Sequence, residues 1–177
     1  MELEQALYSR KSIRSYTGNK ISEENLNRIL KAAKAAPVGL GLYETVHLTV
    51  IENPDILNEI NEKTKALFKN PEMVALYGAP TLVVVSVKLK GDMPDNAEYS
   101  NAAVMIENMA LAATGMNIGC CHIWGAIVSI QNDPELAEKL ELPEGFYPCS
   151  GIALGETTVQ YEFRDIPDDK ILTNYVR

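Results

Sequence analysis

Three cations and a hydroxyl group lie within five residues near the start of the chain, which reads Arg10-Lys11-Ser12-Ile13-Arg14. In an extended chain, Arg10, Ser12 and Arg14 point to the same side. Two guanidinium groups and a hydroxyl can donate hydrogen bonds to one anion, and each charge-assisted bond contributes about 1.5 to 3 kcal/mol. The segment has the chemistry of a phosphate site, although the same residues would also suit a solvated basic turn.

The histidines and cysteines give no comparable pattern. His47 and His122 are the only histidines, and neither has ligand spacing to a cysteine, so no metal site is predicted. Cys121 and His122 are neighbours in a predicted strand and would face opposite sides, which makes them a poor nucleophile and base pair. The cysteines are expected to be buried thiols in predicted strands: Cys120, Cys121 and Cys149.

Composition limits the classes of partner. The chain has 177 residues, of which 46% are hydrophobic and 23% charged, with a net charge of -8. These values are typical of a soluble globular protein, and the negative charge argues against a nucleic-acid partner, which would require clustered Lys and Arg. A bound phosphate must therefore be met by a few local cations.

No segment indicates a membrane or secretory protein. The longest apolar stretch, residues 102–113, is interrupted by Glu107 and Asn108 and is shorter than the roughly 18 to 20 apolar residues that span a bilayer. The first residues contain no apolar core of a signal peptide. Three cysteines are few and odd in number, so a disulfide framework is not expected and a reducing cytoplasm is the predicted location.

Helical and strand patterns alternate along the chain. Ser22 and Pro37 bound the first long helix, and Asn53 followed by Pro54 begins another, which runs to about residue 68. Further helices are predicted over residues 96–114 and after Asp133, and strands over residues 45–51, 80–87, 118–124 and 147–154. Strand 80–87 is almost wholly apolar and should be covered on both faces.

This alternation predicts one domain, residues 1–177, built as a sheet with helices on both sides, an α/β or α+β sandwich. The tail over residues 156–177 is polar and has few apolar anchors. We expect it to lie either on its own domain or on a partner chain.

Taken in order, several motifs resemble those of the nitroreductase-like FMN flavoprotein family. The similarity covers nearly the whole chain and includes the Arg-x-Ser-x-Arg segment, Ala35-Ala36-Pro37, Gly119–Gly125, Pro143-Glu144-Gly145, Gly151–Gly155 and Arg164. The resemblance implies a central, mostly antiparallel sheet flanked by helices. It also implies a homodimer that binds FMN at the subunit interface, with the C-terminal tail wrapped around the partner subunit.

The resemblance assigns most of the cations to the cofactor. Arg10, Ser12 and Arg14 would hold the FMN phosphate and ribityl chain, and Lys11 would add charge or a backbone contact. Arg164 would approach the same phosphate from the C-terminal region. Further along the chain, a second set of residues would lie against the isoalloxazine ring: Ile123, Trp124 and Gly125.

One segment departs from the family pattern. In the family, the residues after Ala-Ala-Pro reach the flavin from the other subunit, which here would be Pro37, Val38, Gly39 and Gly41. The family commonly has Ser, Asn and Gln at positions that Val38, Gly41 and Tyr43 hold here. Backbone groups made accessible by the two glycines could replace the missing side chains; alternatively, the glycines only shape a turn.

The resemblance implies an oxidoreductase that takes hydride from NAD(P)H at flavin N5 and passes electrons, in a ping-pong cycle, to an acceptor such as a nitroaromatic or quinone. In such enzymes the cofactor carries the organic chemistry. The altered segment keeps open a non-catalytic flavin-binding or redox-sensing protein, and a relative that has lost the cofactor.

Overall fold

The computed structural model describes residues 2–177. Its strands are β1 (Val46–Ile51), β2 (Thr81–Lys88), β3 (Gly119–Ile123) and β4 (Phe146–Gly155). Its helices are α1 (Leu3–Ser9), α2 (Glu23–Lys34), α3 (Pro54–Leu67), α4 (Asn96–Gly115), α5 (Gly125–Gln131) and α6 (Pro134–Glu138). Two short 3-10 helices, Gly39–Gly41 and Tyr43–Thr45, connect α2 to β1.

The strands form one antiparallel sheet in the order β1-β2-β4-β3. β2 and β4 lie in the centre, and Leu82, Val83 and Val84 of β2 are completely buried. The prediction of a strand covered on both faces is therefore confirmed. β1 and β3 are the edge strands, and β3 pairs only with β4, which leaves its other edge available to the rest of the chain.

Helices cover both faces of this sheet, so the predicted α+β sandwich is confirmed. α4 packs on one face together with α1 and α2, and α3, α5 and α6 cover the other. Ile106 and Met109 fill the first layer, and Ile127 and Ile130 the second, all nearly or completely buried. Each such side chain contributes about 1.5 to 3 kcal/mol by leaving water.

Side-chain caps start the helices where the sequence predicts them. The Ser22 hydroxyl accepts a hydrogen bond from the Asn25 amide (3.2 Å), and the Asn53 side chain accepts one from the Asp55 amide (2.9 Å). Asp95 and Glu98 form a reciprocal capping box at the start of α4, which satisfies amides that the helix itself leaves unpaired.

Two helices, α1 and α5, were not predicted from the sequence. α1 has no clear apolar stripe: Ala6 and Ser9 are buried, while Leu3 is 69% exposed, so contact with α4 rather than amphipathicity defines it. The strand predicted over residues 118–124 ends at Ile123, because Trp124 adopts helical dihedral angles and begins α5. Among residues 2–177, no helix combines the length and apolar character needed to cross a membrane.

The first part of the polar tail lies on its own domain. Tyr161 is buried, and its hydroxyl donates a hydrogen bond to the Ile118 carbonyl (2.8 Å). This tyrosine is an anchor that the sequence analysis overlooked. Beyond Arg164 the chain has no helix or strand, and its apolar side chains are exposed, including Ile171 (77%) and Leu172 (92%).

Gly155 marks a close approach that should not tolerate a side chain. A Cβ atom at this position would lie 2.6 Å from Cδ of Pro80 and 3.0 Å from the Tyr16 ring, and the proline ring cannot turn aside. We expect Gly155→Ala to lower the free energy of unfolding by about 1 to 3 kcal/mol through overpacking. Urea unfolding measures the change. Gly91→Ala is the control, since no atom lies within 4 Å of its Cβ, and an equal loss in both variants would contradict the packing argument.

Candidate functional site

The segment that carries the early cations runs along the open edge of β3. The Ile13 amide donates a hydrogen bond to the Cys120 carbonyl (2.8 Å), and the Thr17 amide donates one to the Glu156 carbonyl (2.9 Å). The Ile13 side chain is buried. Because side chains alternate along an extended segment, its neighbours Ser12 and Arg14 lie on the opposite side of the segment.

The cations do not form the single straight row that an ideal extended chain predicts. Nε of Arg10 forms an ion pair with Oε1 of Glu107 on α4 (3.1 Å). The Arg14 guanidinium lies 5.6 Å from the centre of the Tyr77 ring, in the connection between α3 and β2. Arg10 thus reaches toward the α4 layer and Arg14 toward the layer on the opposite face of the sheet.

Local contacts explain the electrostatics of this edge. The pKa of Arg14 is raised, mainly by the neighbouring Tyr77 side chain and then by Cys121. The Cys121 thiol donates a hydrogen bond to the His122 carbonyl (3.5 Å). Burial raises the pKa of Cys121, and Arg14 and Ser12 offset part of that rise. The thiol is neutral near pH 7 and is a poor nucleophile.

The Arg164 side chain reaches the same segment, where it binds main-chain carbonyl groups rather than side chains. Its guanidinium donates hydrogen bonds to the carbonyl oxygens of Tyr8 (Nε, 2.9 Å) and Arg10 (2.6 Å). Arg164 therefore ties the C-terminal region to the end of α1 and to the backbone of Arg10. Lys11, the remaining cation of the segment, is partly exposed.

The predicted ring-side residues occupy the junction of β3 and α5. The Ile123 side chain is buried in the α3–α5 layer, so only its backbone can meet a ligand. Trp124 is 68% exposed, and its ring centre lies 6.0 Å from that of Phe68. At Gly125 a Cβ atom would touch Met73 and Phe68 at 3.4 and 3.5 Å. Trp124 is thus the residue of this group with a large surface available to a flat ligand.

The segment after α2 is shaped by its own turn. Val38 is buried, and the Gly39 amide donates to Oδ1 of Asn101 (3.0 Å), so this amide already has a partner. Gly41 has φ of 69°, a conformation that favours glycine. Pro37 is exposed. The most exposed side chain of the turn is Leu40 (93%), which the sequence analysis did not select.

Four polar residues around this edge are not among the predicted site residues. Glu107, noted only as an interruption of the apolar stretch of α4, is the ion-pair partner of Arg10. Nε2 of His122 lies 2.7 Å from Oγ of Ser150 on β4. No local pattern marks Ser150 or Tyr77, since both are brought to the edge by strand pairing and by the path of a loop.

The arrangement suits an organic phosphate. Two guanidinium groups and a hydroxyl belong to the segment that covers the edge of β3, and an exposed indole on which a flat ring can lie follows the end of that strand. Within residues 2–177, no three His, Cys, Asp or Glu side chains converge as metal ligands. The donors present therefore fit a cofactor that carries both a phosphate and an aromatic ring.

Comparison with known proteins shows the family of the chain. Residues 7–156 match the model of the nitroreductase family. A protein of Archaeoglobus fulgidus, named as a candidate NADH dehydrogenase/NAD(P)H nitroreductase, is 29% identical over 163 residues, which span 92% of this chain and 89% of the relative.

Solved structures share the whole fold. The crystal structure of a nitroreductase with bound FMN from Bacteroides fragilis aligns with a TM-score of 0.82 and 30% identity, over 99% of this chain and 100% of the other. A nitroreductase with bound FMN from Desulfitobacterium hafniense has a TM-score of 0.84 and 23% identity, over 100% of both chains. The match includes both helical layers and the edge of β3, and the chain belongs to the nitroreductase family.

Proposed function

We propose that this chain, as a single domain over residues 1–177, is an FMN-dependent oxidoreductase that works as a homodimer with NAD(P)H. The observation that carries the proposal is the position of Arg10, Ser12 and Arg14 on the open edge of β3, within a fold whose relatives include nitroreductases with bound FMN. The names of more distant relatives, such as the FMN reductase (NADPH) of Bacillus subtilis at 24% identity, support the same activity.

In this proposal, the early segment holds the non-reacting half of the cofactor. Arg10, Ser12 and Arg14 bind the phosphate and ribityl chain, with Lys11 beside them. Arg164 positions this segment, since its guanidinium already holds the carbonyl oxygen of Arg10. When the anion binds, Arg10 gives up its contact with Glu107 and donates to a phosphate oxygen instead. The old and the new contact are both charge-assisted hydrogen bonds.

The other half of the cofactor would lie against the end of β3. Trp124 supplies an exposed aromatic face, and the backbone of Ile123 and Gly125 supplies hydrogen-bonding groups near the ring. The partner subunit would contribute the turn from Pro37 to Gly41. Because the Gly39 amide is engaged by Asn101, the polar contacts of this turn are fewer than the family pattern suggests.

FMN, when bound, supplies the redox chemistry, since its N5 accepts a hydride and the electrons pass on to an acceptor. The chain binds and orients the cofactor and leaves one place beside Trp124 for the substrates. We propose a ping-pong order, in which oxidised NAD(P) leaves before an acceptor such as a nitroaromatic or quinone enters. The free, buried thiols fit a reducing cytoplasm.

Exposed apolar groups support the homodimer. Leu40 is 93% exposed and has φ of 57°, an uncommon backbone conformation for a leucine. In the tail, Leu172 and Val176 are 92% and 93% exposed. Apolar side chains on a partly extended tail favour burial against another surface, and we propose that this surface belongs to the partner subunit.

Removing the early arginines should release FMN. We expect Arg10→Ala and Arg14→Ala each to raise the Kd for FMN by about ten- to a hundred-fold, because each loses a charge-assisted bond of about 1.5 to 3 kcal/mol. Fluorescence titration of FMN measures the affinity. Arg28→Ala is the control, since Arg28 is exposed on α2, and a similar loss in this variant would mean that overall charge rather than the site controls binding.

Protein loaded with FMN should oxidise a reduced nicotinamide. We expect FMN-loaded protein to oxidise NADH or NADPH in the presence of menadione or a nitroaromatic, followed as the decrease in absorbance of the reduced nicotinamide. A bound flavin that neither nucleotide reduces would favour the non-catalytic flavin-binding or redox-sensing alternative. Protein that stays colourless with added FMN would indicate that the cofactor has been lost.

The tail should control assembly. We expect the double substitution Leu172→Asp with Val176→Asp to shift the protein from dimer toward monomer in sedimentation velocity, because two charges would enter an apolar contact. Met93→Asp, which changes another exposed apolar residue (58% exposed), should leave the dimer unchanged. A wild-type protein that sediments as a monomer while it binds FMN tightly would contradict the shared site.

A further inference from the structure

His122 lies at the proposed cofactor site and has no role in the function described so far. It is the fourth residue of β3, and its Nε2 lies 2.7 Å from Oγ of Ser150 on the neighbouring strand. Ser150 is itself nearly buried (8% exposed), whereas the His122 residue is exposed. One ring nitrogen is thus fixed by the sheet, and among residues 2–177 the other, Nδ1, has no hydrogen-bond partner.

The charged groups around this imidazole are those of the early segment and of α4. Arg10 pairs with Glu107 of α4 at 3.1 Å. His122 lies on the same side of the sheet as α4, because Cys120, two residues earlier on β3, packs in the α4 layer. Arg10 is also the first arginine of the proposed phosphate site. An anion held by the Arg10 guanidinium on this side of the sheet therefore comes near the His122 ring.

We propose that His122 is a further ligand of the FMN phosphate, donating a hydrogen bond from Nδ1 while Nε2 stays on Ser150, and that it makes the site select FMN over riboflavin. The inference rests on the proposed function, because it requires that Arg10 binds the same phosphate. The imidazolium form donates from both ring nitrogens and adds a positive charge beside the phosphate. A neutral ring can still donate from Nδ1 while Nε2 accepts from the Ser150 hydroxyl, but it lacks that charge.

Protonation of this residue should be linked to binding. In the protein alone, desolvation lowers the pKa of His122 below its usual value, Arg10 lowers it further, and Glu107 partly opposes the change. A phosphate carries about 1.5 to 2 negative charges near pH 7 and stabilises the imidazolium, so the pKa is higher in the complex than in the free protein. Binding then takes up a proton, and the contribution of the His122 charge is full at acidic pH and is lost as the pH rises through the pKa of the complex.

The experiment compares wild-type protein with His122→Asn, which is neutral at every pH and keeps an amide group near the position of Nδ1. The Kd for FMN is measured between pH 5.5 and 8.5, and the ratio of the two Kd values is the readout. This ratio cancels the second ionisation of the phosphate itself, near pH 6, which affects both proteins alike. We expect His122→Asn to bind FMN about ten-fold more weakly at pH 5.5 and within about two-fold of wild type at pH 8.5.

Three controls make the result specific. Riboflavin, which has no phosphate, should bind both proteins with the same ratio at all pH values. His122→Lys keeps a cation at alkaline pH, and we expect it to bind FMN more tightly than His122→Asn at pH 8.5. Calorimetry of the wild type in buffers of different ionisation enthalpy should show proton uptake with FMN at pH 6.5 that is smaller in His122→Asn.

A constant ratio of FMN affinities across the pH range, or the same pH dependence for riboflavin, would overturn the role of His122 while leaving the proposed function intact. Failure of the wild type to bind FMN at any pH would overturn both. Thermal unfolding of each variant at both ends of the range shows whether a change in Kd reflects loss of folded protein, and a Kd that follows the folded fraction would also count against the proposal.

Discussion

The hydrogen bond between the Ile13 amide and the Cys120 carbonyl is the interaction on which the candidate site depends. It joins a segment without regular secondary structure to the open edge of β3, and burial of the Ile13 side chain holds the segment there. Such an edge carries unpaired backbone groups, which proteins normally cover. Here the covering segment is the one that carries the cations, so protection of the sheet edge and placement of the site are achieved together.

The local balance of charge matters more than the total. The chain carries a net charge of -8, which opposes the approach of a phosphate, but exposed charges are screened beyond about 8 to 10 Å at physiological salt. The positive charges near the edge of β3 therefore decide the local potential: they are Arg10, Arg14 and, at acidic pH, a protonated His122. Glu107 pairs with Arg10 and so keeps a guanidinium in position that would otherwise extend into solvent.

The turn after α2 shows how a departure from a family pattern can be explained physically. The two glycines were open to two interpretations, a close backbone approach to a ligand or the shaping of a turn. Gly41 has a positive φ, and the Gly39 amide is bound by Asn101, which favours the shaping of a turn. What the turn presents outward is Leu40, an apolar group suited to contact with another chain rather than to hydrogen bonding.

By itself, the sequence determined the helices with clear caps, the buried strand β2 and the α+β class. Caps and apolar periodicity are local, so Ser22, Asn53 and the run over residues 80–87 were enough. The order of motifs also indicated the family. Tertiary structure alone decided that α1 and α5 form, that Tyr161 anchors the tail, and that Arg10 faces Glu107 while Arg14 lies on Tyr77. These contacts join residues far apart in the chain, and their geometry depends on how the layers pack around the end of the sheet, which no local pattern encodes.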